Sequence, residues 1–203
     1  MLFVGLTGGI GSGKSEALAA CERLGAAVLS SDQVVHELLS TDELRDVLVA
    51  RWGSRVVPDG AVDRAVVAEI VFEDPEELRW LEEVLFPRVG SRIAAWRSDL
   101  EAIEAGEAEG GPEVAVVEVP LLFEAGIAEA FDATIAVVAN EDERQRRAED
   151  RSHRGLDGRT SRQLSQEDKA ARADYVLMND GTLEDLERRT EEILDALRQR
   201  ATR

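Results

Sequence analysis

Five stretches of the chain are short, nearly continuous apolar runs: LFVGL (2–6), AAVLS (26–30), VAVVEVPLLF (114–123), FDATIAVVAN (131–140) and DYVLMND (174–180). A strand with one wet face alternates apolar and polar residues. Unbroken runs mark strands buried on both faces, as in a parallel sheet covered by helices. Between the runs the apolar period turns helical. KSEALAACERLG (14–25) sets Ala17, Leu18, Cys21 and Leu24 on one face, with Gly25 as a stop. DQVVHELL predicts a helix capped by Ser30 or Ser31. STDELRDVLVARWG predicts another to about Trp52, opened by a capping box of Ser40 with Glu43. Residues 53–100 read as mostly helical, broken by PDG at 58–60, by Pro75 and by Pro87. The acidic, glycine-containing stretch 101–113 reads as an exposed helix end and loop, and EDERQRRAEDR as the start of a charged helix. TLEDLERRTEEILDALRQR predicts a last amphipathic helix with Leu183, Leu186, Ile193, Leu194 and Leu197 on its apolar face.

Strands alternating with helices predict an α/β fold around a five-stranded parallel sheet. Ligands of such sheets bind beyond the carboxyl ends of the strands. The polar and glycine-rich segments 7–15, 30–32, 118–124, 140–147 and 179–181 all follow strands, so these carry the candidate chemistry. No internal repeat and no low-complexity linker interrupts the pattern.

Composition narrows the function. The 203 residues, 44% of them hydrophobic, suit one well-buried core. No apolar run reaches the ~20 residues that span a bilayer. MLFVGL is too short for a signal peptide, and Lys14 follows the apolar stretch instead of preceding it, so a cytoplasmic protein is expected. Cys21 is the single cysteine and, within a helical pattern, reads as a small buried hydrophobe. With His36 and His153 as the only histidines, no zinc site is suggested. A net charge of −18 argues against nucleic acid and against an anionic membrane, since both require clustered cations. The cations are 22 Arg and only 2 Lys, and one of those lysines stands in a glycine loop.

That loop is GLTGGIGSGKS. Gly8, Gly13, Lys14 and Ser15 satisfy G-x-x-x-x-G-K-[ST] between a predicted strand and a predicted helix. Glycines let backbone N–H groups turn together into an anion nest, and the following helix adds its positive end. Lys14 neutralises β- and γ-phosphates, and Ser15 offers a hydroxyl to Mg²⁺. The bare alternative is a glycine-rich turn with no ligand. ATP binding is therefore expected of Gly8, Gly9, Ile10, Gly11, Ser12, Gly13, Lys14, Ser15 and Glu16. Asp32, at the end of the second predicted strand, is either a general base for an attacking hydroxyl or a helix-start aspartate.

GLTGGIGSGKS, SSDQVVHELL, FEDPEELRWLEEVLFPRV, VVEVPLLFEAG and RQLSQEDKAARADYVLMNDGTLEDL together resemble the dephospho-coenzyme A kinase family, end to end and in its order. VPLLFE and ARADYVLMNDG carry most of the specificity. The resemblance implies a P-loop NTPase-type three-layer fold and transfer of the ATP γ-phosphate to the 3′-hydroxyl of dephospho-CoA, the last step of coenzyme A biosynthesis. It implies a core of 1–32, 113–142 and 170–203, a helical acceptor-binding region at 33–112 and a lid at 143–169. It matches Asp32 to the family's general base. Pro120, Leu121, Leu122, Phe123 and Glu124 match its acceptor-side loop, with Pro87 also on the acceptor side. Glu118, at a strand end, would either hold Mg²⁺ with Ser15 or simply face solvent.

The chain departs from the family's pattern at four places. Ser30-Ser31-Asp32 stands where Asp-Ala-Asp is frequent, and Phe86-Pro87 where His-Pro is frequent. Glu118 replaces an Asp, and Glu16 replaces a Thr, putting an acid near the nucleotide.

From Glu143 to Arg162 seven Arg face four acids, a local excess of +3 in an acidic chain. A solvated helix is one reading. A lid whose arginines stabilise the transferring phosphoryl group is the other, with Arg147 and Arg151 as its catalytic candidates. Asn179 and Gly181 in MNDG would shape a loop around adenine, or simply make the turn into the last helix. Trp52, Trp80 and Trp96 read as core, or as one surface for the pantetheine arm. The expected partners are ATP and dephospho-CoA, with no nucleic acid and no membrane, for a monomer or small homo-oligomer. The competing readings are a nucleoside monophosphate-type P-loop kinase and a non-catalytic ATP-binding regulator.

Overall fold

A computed structural model describes residues 1–105, 111–141, 144 and 163–201. The elements are β1 (Leu2–Gly8), α1 (Lys14–Arg23), β2 (Ala27–Ser30), α2 (Ser31–Leu39), α3 (Asp42–Trp52), α4 (Arg64–Glu73), α5 (Pro75–Ala105), β3 (Val114–Glu118), β4 (Ala133–Val138), α6 (Gln166–Arg172), β5 (Tyr175–Met178) and α7 (Leu183–Ala201). All five predicted strands are present. The chain forms two compact units, Met1–Ser30 with Arg97–Arg203, and Ser31–Trp96.

In the first unit the sheet is parallel throughout, with strand order β2-β3-β1-β4-β5. Central β1 has β3 on one side and β4 on the other. The chain therefore turns in opposite directions on either side of it, which opens a crevice at its carboxyl end. Side chains alternate across the sheet. Val4 and Leu6 meet Leu18 and Cys21 of α1 and Leu186, Leu194 and Leu197 of α7 in one buried cluster. On the alternate positions, Phe3 stacks on Phe131 at 4.9 Å. A Cβ at Gly5 would lie 3.1–3.2 Å from Leu122 and Phe131, so that face is closely packed too. Fully burying a side chain of this size is worth roughly 1.5–3 kcal/mol, which accounts for strands with no polar alternation.

α7 departs from its predicted face at one end. Leu183, its first residue, is 63% exposed, because the packed stripe begins a turn later at Leu186. Thr190, unmarked by the pattern, is buried there and donates its hydroxyl to the Leu186 carbonyl at 2.7 Å.

The second unit is helical. The cap of α3 is Thr41 and not Ser40: the Thr41 hydroxyl accepts from the Leu44 amide at 3.3 Å. Ser40 instead donates to the His36 carbonyl at the end of α2. Pro75 opens α5, where its missing N–H costs nothing. Pro87 sits inside α5 and does not break it, although an interior proline costs about 3 kcal/mol. Nearby, the Arg88 guanidinium donates to the Val84 carbonyl at 2.8 Å, and Ser91 to the Pro87 carbonyl at 2.9 Å. Trp52 is buried, packs edge-on against the half-buried Trp80 at 5.1 Å and donates its indole N–H to Glu77 at 2.8 Å. β2 ends at Ser30 and α2 begins at Ser31, which corrects the placement of Asp32. It is an exposed residue in the first helical turn, not the end of a strand.

Burial of Cys21 against the sheet pushes its thiol up to about 12, a backbone hydrogen bond opposing this in part. We expect no labelling of the folded protein by a disulfide reagent near pH 8, about where a free thiol ionises, and full labelling once denaturant unfolds it. Rapid native-state labelling would contradict this packing.

Candidate active site

β1 runs into the phosphate loop with no space beside its last residue. A Cβ on Gly8 would lie 2.6 Å from the Val137 carbonyl and 2.6 Å from the Ser12 hydroxyl. Gly11, at φ +75°, would place a Cβ 2.5 Å from the Arg144 carbonyl. No side chain caps α1: its N-cap is Gly13 in the left-handed region, so the positive end of the helix is left for an anion. The Ser12 hydroxyl in the same loop is buried and has no hydrogen-bond partner among the described residues.

The loop's carbonyls are used. Gly9 accepts from the Lys14 ammonium at 3.1 Å, Ile10 from the Arg144 guanidinium at 3.2 Å, and Ser12 from the Asn179 amide at 2.8 Å. Arg144 is also paired with Glu141 at 2.6 Å. Ser15 and Glu16 are exposed on the first turn of α1, so the acid at position 16 faces water.

Glu118 closes β3, buried, opposite Leu6 on β1 and Ser30 on β2. The Ser30 hydroxyl, one of the two predicted caps of α2, donates instead to Glu118 Oε2 at 3.2 Å. Beyond it, Pro120, Leu121, Leu122, Phe123 and Glu124 make a compact turn closed by Ala125 N donating to the Leu121 carbonyl at 2.9 Å. Leu122 is fully buried and anchors the turn from below, while Pro120, Leu121, Phe123 and Glu124 are half-buried. Glu124 Oε1 pairs with Lys169 Nζ at 2.9 Å and accepts the Leu164 amide at 2.8 Å. Burial pushes the Glu124 carboxyl up, but Lys169 and the Leu164 amide outweigh it and hold the group below the usual carboxylate range. Burial lowers the pKa of Lys169, and Glu124 offsets only part of that.

The model of the family described as dephospho-CoA kinase matches residues 2–185. This chain belongs to the dephospho-CoA kinase family. It is 38% identical to the dephospho-CoA kinase of Chlamydia pneumoniae over 202 residues, covering 98% of this chain and 97% of that one. It is 35% identical to that of Streptomyces avermitilis over 206 residues, covering 99% and 96%. A crystal structure from Thermus thermophilus is similar across 97% of both chains, with a TM-score of 0.74 and 35% identity. That of the dephospho-CoA kinase of Campylobacter jejuni has a TM-score of 0.69 at 22% identity over 97% of both, which shows the shared fold. The reaction of the family is ATP-dependent phosphorylation of dephospho-CoA in coenzyme A biosynthesis, and ATP is its phosphoryl donor.

The dephospho-CoA kinase fold brings the loop 8–16, Glu118, the 120–124 turn and Asn179 to the same edge of one sheet. Pro87 lies within α5, exposed, beside Phe86, which is 52% exposed. Arg147 and Arg151, and most of the 143–169 segment, lie outside the described residues. Asn179 has a role the sequence did not signal. Its amide reaches the Ser12 carbonyl, and its backbone N–H the Val138 carbonyl at 2.7 Å. Gly181 has no room for a side chain: a Cβ there would sit 2.7 Å from Asp185, whose carboxylate caps α7 through the Thr182 amide and hydroxyl. Arg189 pairs with Asp180 at 2.6 Å and holds its carboxyl below the usual range.

Arg144, Gln166 and Lys169 were not singled out as site residues, and all three dock here. Gln166 accepts from the Ala139 amide at 2.9 Å and donates to its carbonyl at 3.0 Å. Among the described residues no helix is long and apolar enough to cross a membrane, and no group of three or more His, Cys, Asp and Glu could hold a metal ion.

Asn179→Ala strips the Ser12 carbonyl of a buried donor. A stability loss of about 1–3 kcal/mol is expected, read as a lower Tm, together with a several-fold rise in KM for ATP and a smaller change for the acceptor. Equal effects on both substrates would contradict a role centred on the loop.

Proposed function

We propose that the chain carries out the family's reaction on the 3′-hydroxyl of dephospho-CoA, with its phosphate loop as the donor site. The uncapped start of α1 under a G-x-x-x-x-G-K-S loop is the observation that carries this reading. The loop amides and the helix end receive the ATP phosphates. Lys14 leaves the Gly9 carbonyl to neutralise the β- and γ-phosphates. Asp32 takes the proton of the attacking hydroxyl. The alcohol oxygen forms its bond to the γ-phosphorus as the bond to the ADP oxygen breaks. Residues 120–124, with Pro87, serve the acceptor.

Ser15 and Glu118 form a donor set suited to Mg²⁺: a hydroxyl and a carboxylate are hard oxygen ligands. Magnesium usually takes one or two protein oxygens with substrate phosphates and does not need an all-protein cage. When bound, the ion neutralises charge on the phosphates. Asn179 and Gly181 support the nucleotide side by fixing the loop. Residues 1–32, 113–142 and 170–203 act as the donor core and 33–112 as the acceptor region.

ADP release measured over a panel of acceptors with Mg·ATP tests the reading. Dephospho-CoA should be preferred over nucleoside monophosphates and over shikimate-like hydroxy acids. Preference for a monophosphate would replace this reading with the nucleoside monophosphate kinase one, and ATP binding without turnover would replace it with the regulator.

Asp32→Asn should lower kcat by about 10²–10⁴, the contribution of a positioned base, with KM for ATP little changed. Turnover within about twofold of wild type would leave Asp32 as a helix-start residue only.

A further inference from the structure

Lys169 has no solvent-exposed side-chain surface, in a seven-residue helix whose Glu167, Asp168 and Arg172 are exposed. A buried ammonium carries a heavy desolvation cost unless its donors are all used. Here three oxygens take them: the Pro120 carbonyl at 2.6 Å, Glu124 Oε1 at 2.9 Å and the Thr7 hydroxyl at 3.4 Å. Thr7 itself donates to the Pro120 carbonyl at 3.3 Å. The cation thus holds the first and the last residue of the 120–124 turn, and it ties both to the residue that precedes Gly8.

An apolar side chain would serve stability as well as such a pair does. What the pair adds is geometry. Glu124 Oε1 carries two donors, Lys169 and the Leu164 amide, which fixes the plane of the carboxylate. Its other oxygen, Oε2, is buried and has no hydrogen-bond partner among the described residues. Buried acceptors are rarely left this way unless a ligand or water supplies the donor.

We propose that Lys169 is a positioning residue for phosphoryl transfer: it locks the acceptor turn onto the exit of β1 and presents Glu124 Oε2 to a hydroxyl or amide N–H of the acceptor. This rests on the reading of residues 120–124 as the acceptor side. No bond forms or breaks at Lys169 itself. The phosphate loop is held separately, through Asn179 and Arg144, so the acceptor is the substrate that loses affinity when the lock is removed.

The test uses Lys169→Arg and the double substitution Lys169→Met with Glu124→Gln. KM for dephospho-CoA and for ATP, kcat and Tm are measured for each. Lys169→Met alone strands a buried carboxylate charge, whereas the double change removes both charges together and keeps the volume. The double variant should keep its Tm and show KM for dephospho-CoA raised about tenfold or more, as loss of a hydrogen bond to a charged group gives. KM for ATP should move less than about twofold. Lys169→Arg keeps the charge and should recover part of the acceptor KM. A double variant with wild-type KM for dephospho-CoA overturns the proposal. So does one in which both KM values rise together, the mark of a loosened fold. A wild-type chain that binds ATP yet phosphorylates no dephospho-CoA overturns the acceptor reading and this proposal with it, and the wild-type control alone distinguishes that case.

Discussion

The exit of β1 is so tight that only a hydrogen atom fits at Gly8, between the Val137 carbonyl and the Ser12 hydroxyl. The loop is therefore folded back on the sheet, and at Gly11 it passes against the backbone of Arg144. A loop compressed in this way cannot satisfy its own backbone groups as a helix or strand would. Its Gly9 carbonyl accepts the Ser12 amide at 3.2 Å within the loop and the Lys14 ammonium, while Ile10 and Ser12 find their donors far along the chain, in Arg144 and Asn179. With the carbonyls so engaged, amides and the bare end of α1 remain for an anion. A loop so arranged suits an anion through its backbone as well as through its lysine.

The same economy runs along the whole carboxyl edge of the sheet. Ser30 ties β2 to β3 through Glu118. Thr7 and Lys169 tie β1 to the turn after β3. Gln166 replaces a missing strand partner at Ala139. Six of the nine buried polar or charged residues among those described belong to this edge: Thr7, Ser12, Glu118, Gln166, Lys169 and Asn179. Burying polar groups costs stability unless each is paired, and apolar residues would fill the space at lower cost. Their concentration at one edge marks a region shaped for a site, at some expense to packing. At the opposite edge, Asp132 and Asp174 serve the amides of Phe3 and Thr134, a simpler task of ending strands.

The strands were legible because burial on both faces leaves a continuous apolar run, a signal that needs no neighbour to interpret. The phosphate loop was legible for a related reason: its chemistry is carried by consecutive residues. What the sequence hid depends on partners far along the chain. Lys169 in QEDKAAR has no local partner to mark it, and only the fold brings Glu124 and Thr7 to it, 45 and 162 residues away by number. Asn179 reads as a turn residue until Ser12 is placed beside it, 167 positions earlier. The cap at Thr41 in place of Ser40 is a local ambiguity between adjacent hydroxyls: both donate to carbonyls at the end of α2, and Thr41 also accepts the Leu44 amide. Pro87 misleads in the other direction, since one lost hydrogen bond does not end a helix as long as α5.

Two of the chain's departures from its family's pattern are linked by the register of the sheet. Ser30 and Glu118 are partners across β2 and β3, on the same face, at the ends of both strands. An aspartate at each position, as the family often has, would put two carboxylates side by side, and like charges at that spacing oppose one another. Here the first position is a hydroxyl donor and the second a glutamate, one methylene longer than aspartate, and the two meet at 3.2 Å. A serine beside this glutamate leaves one negative charge fewer at the edge that carries the glycine loop. It also leaves Glu118 oriented by Ser30 instead of by repulsion. Each residue therefore matters to the other: the hydroxyl supplies a donor that a second carboxylate would not, and the buried acid accepts it at the end of its strand.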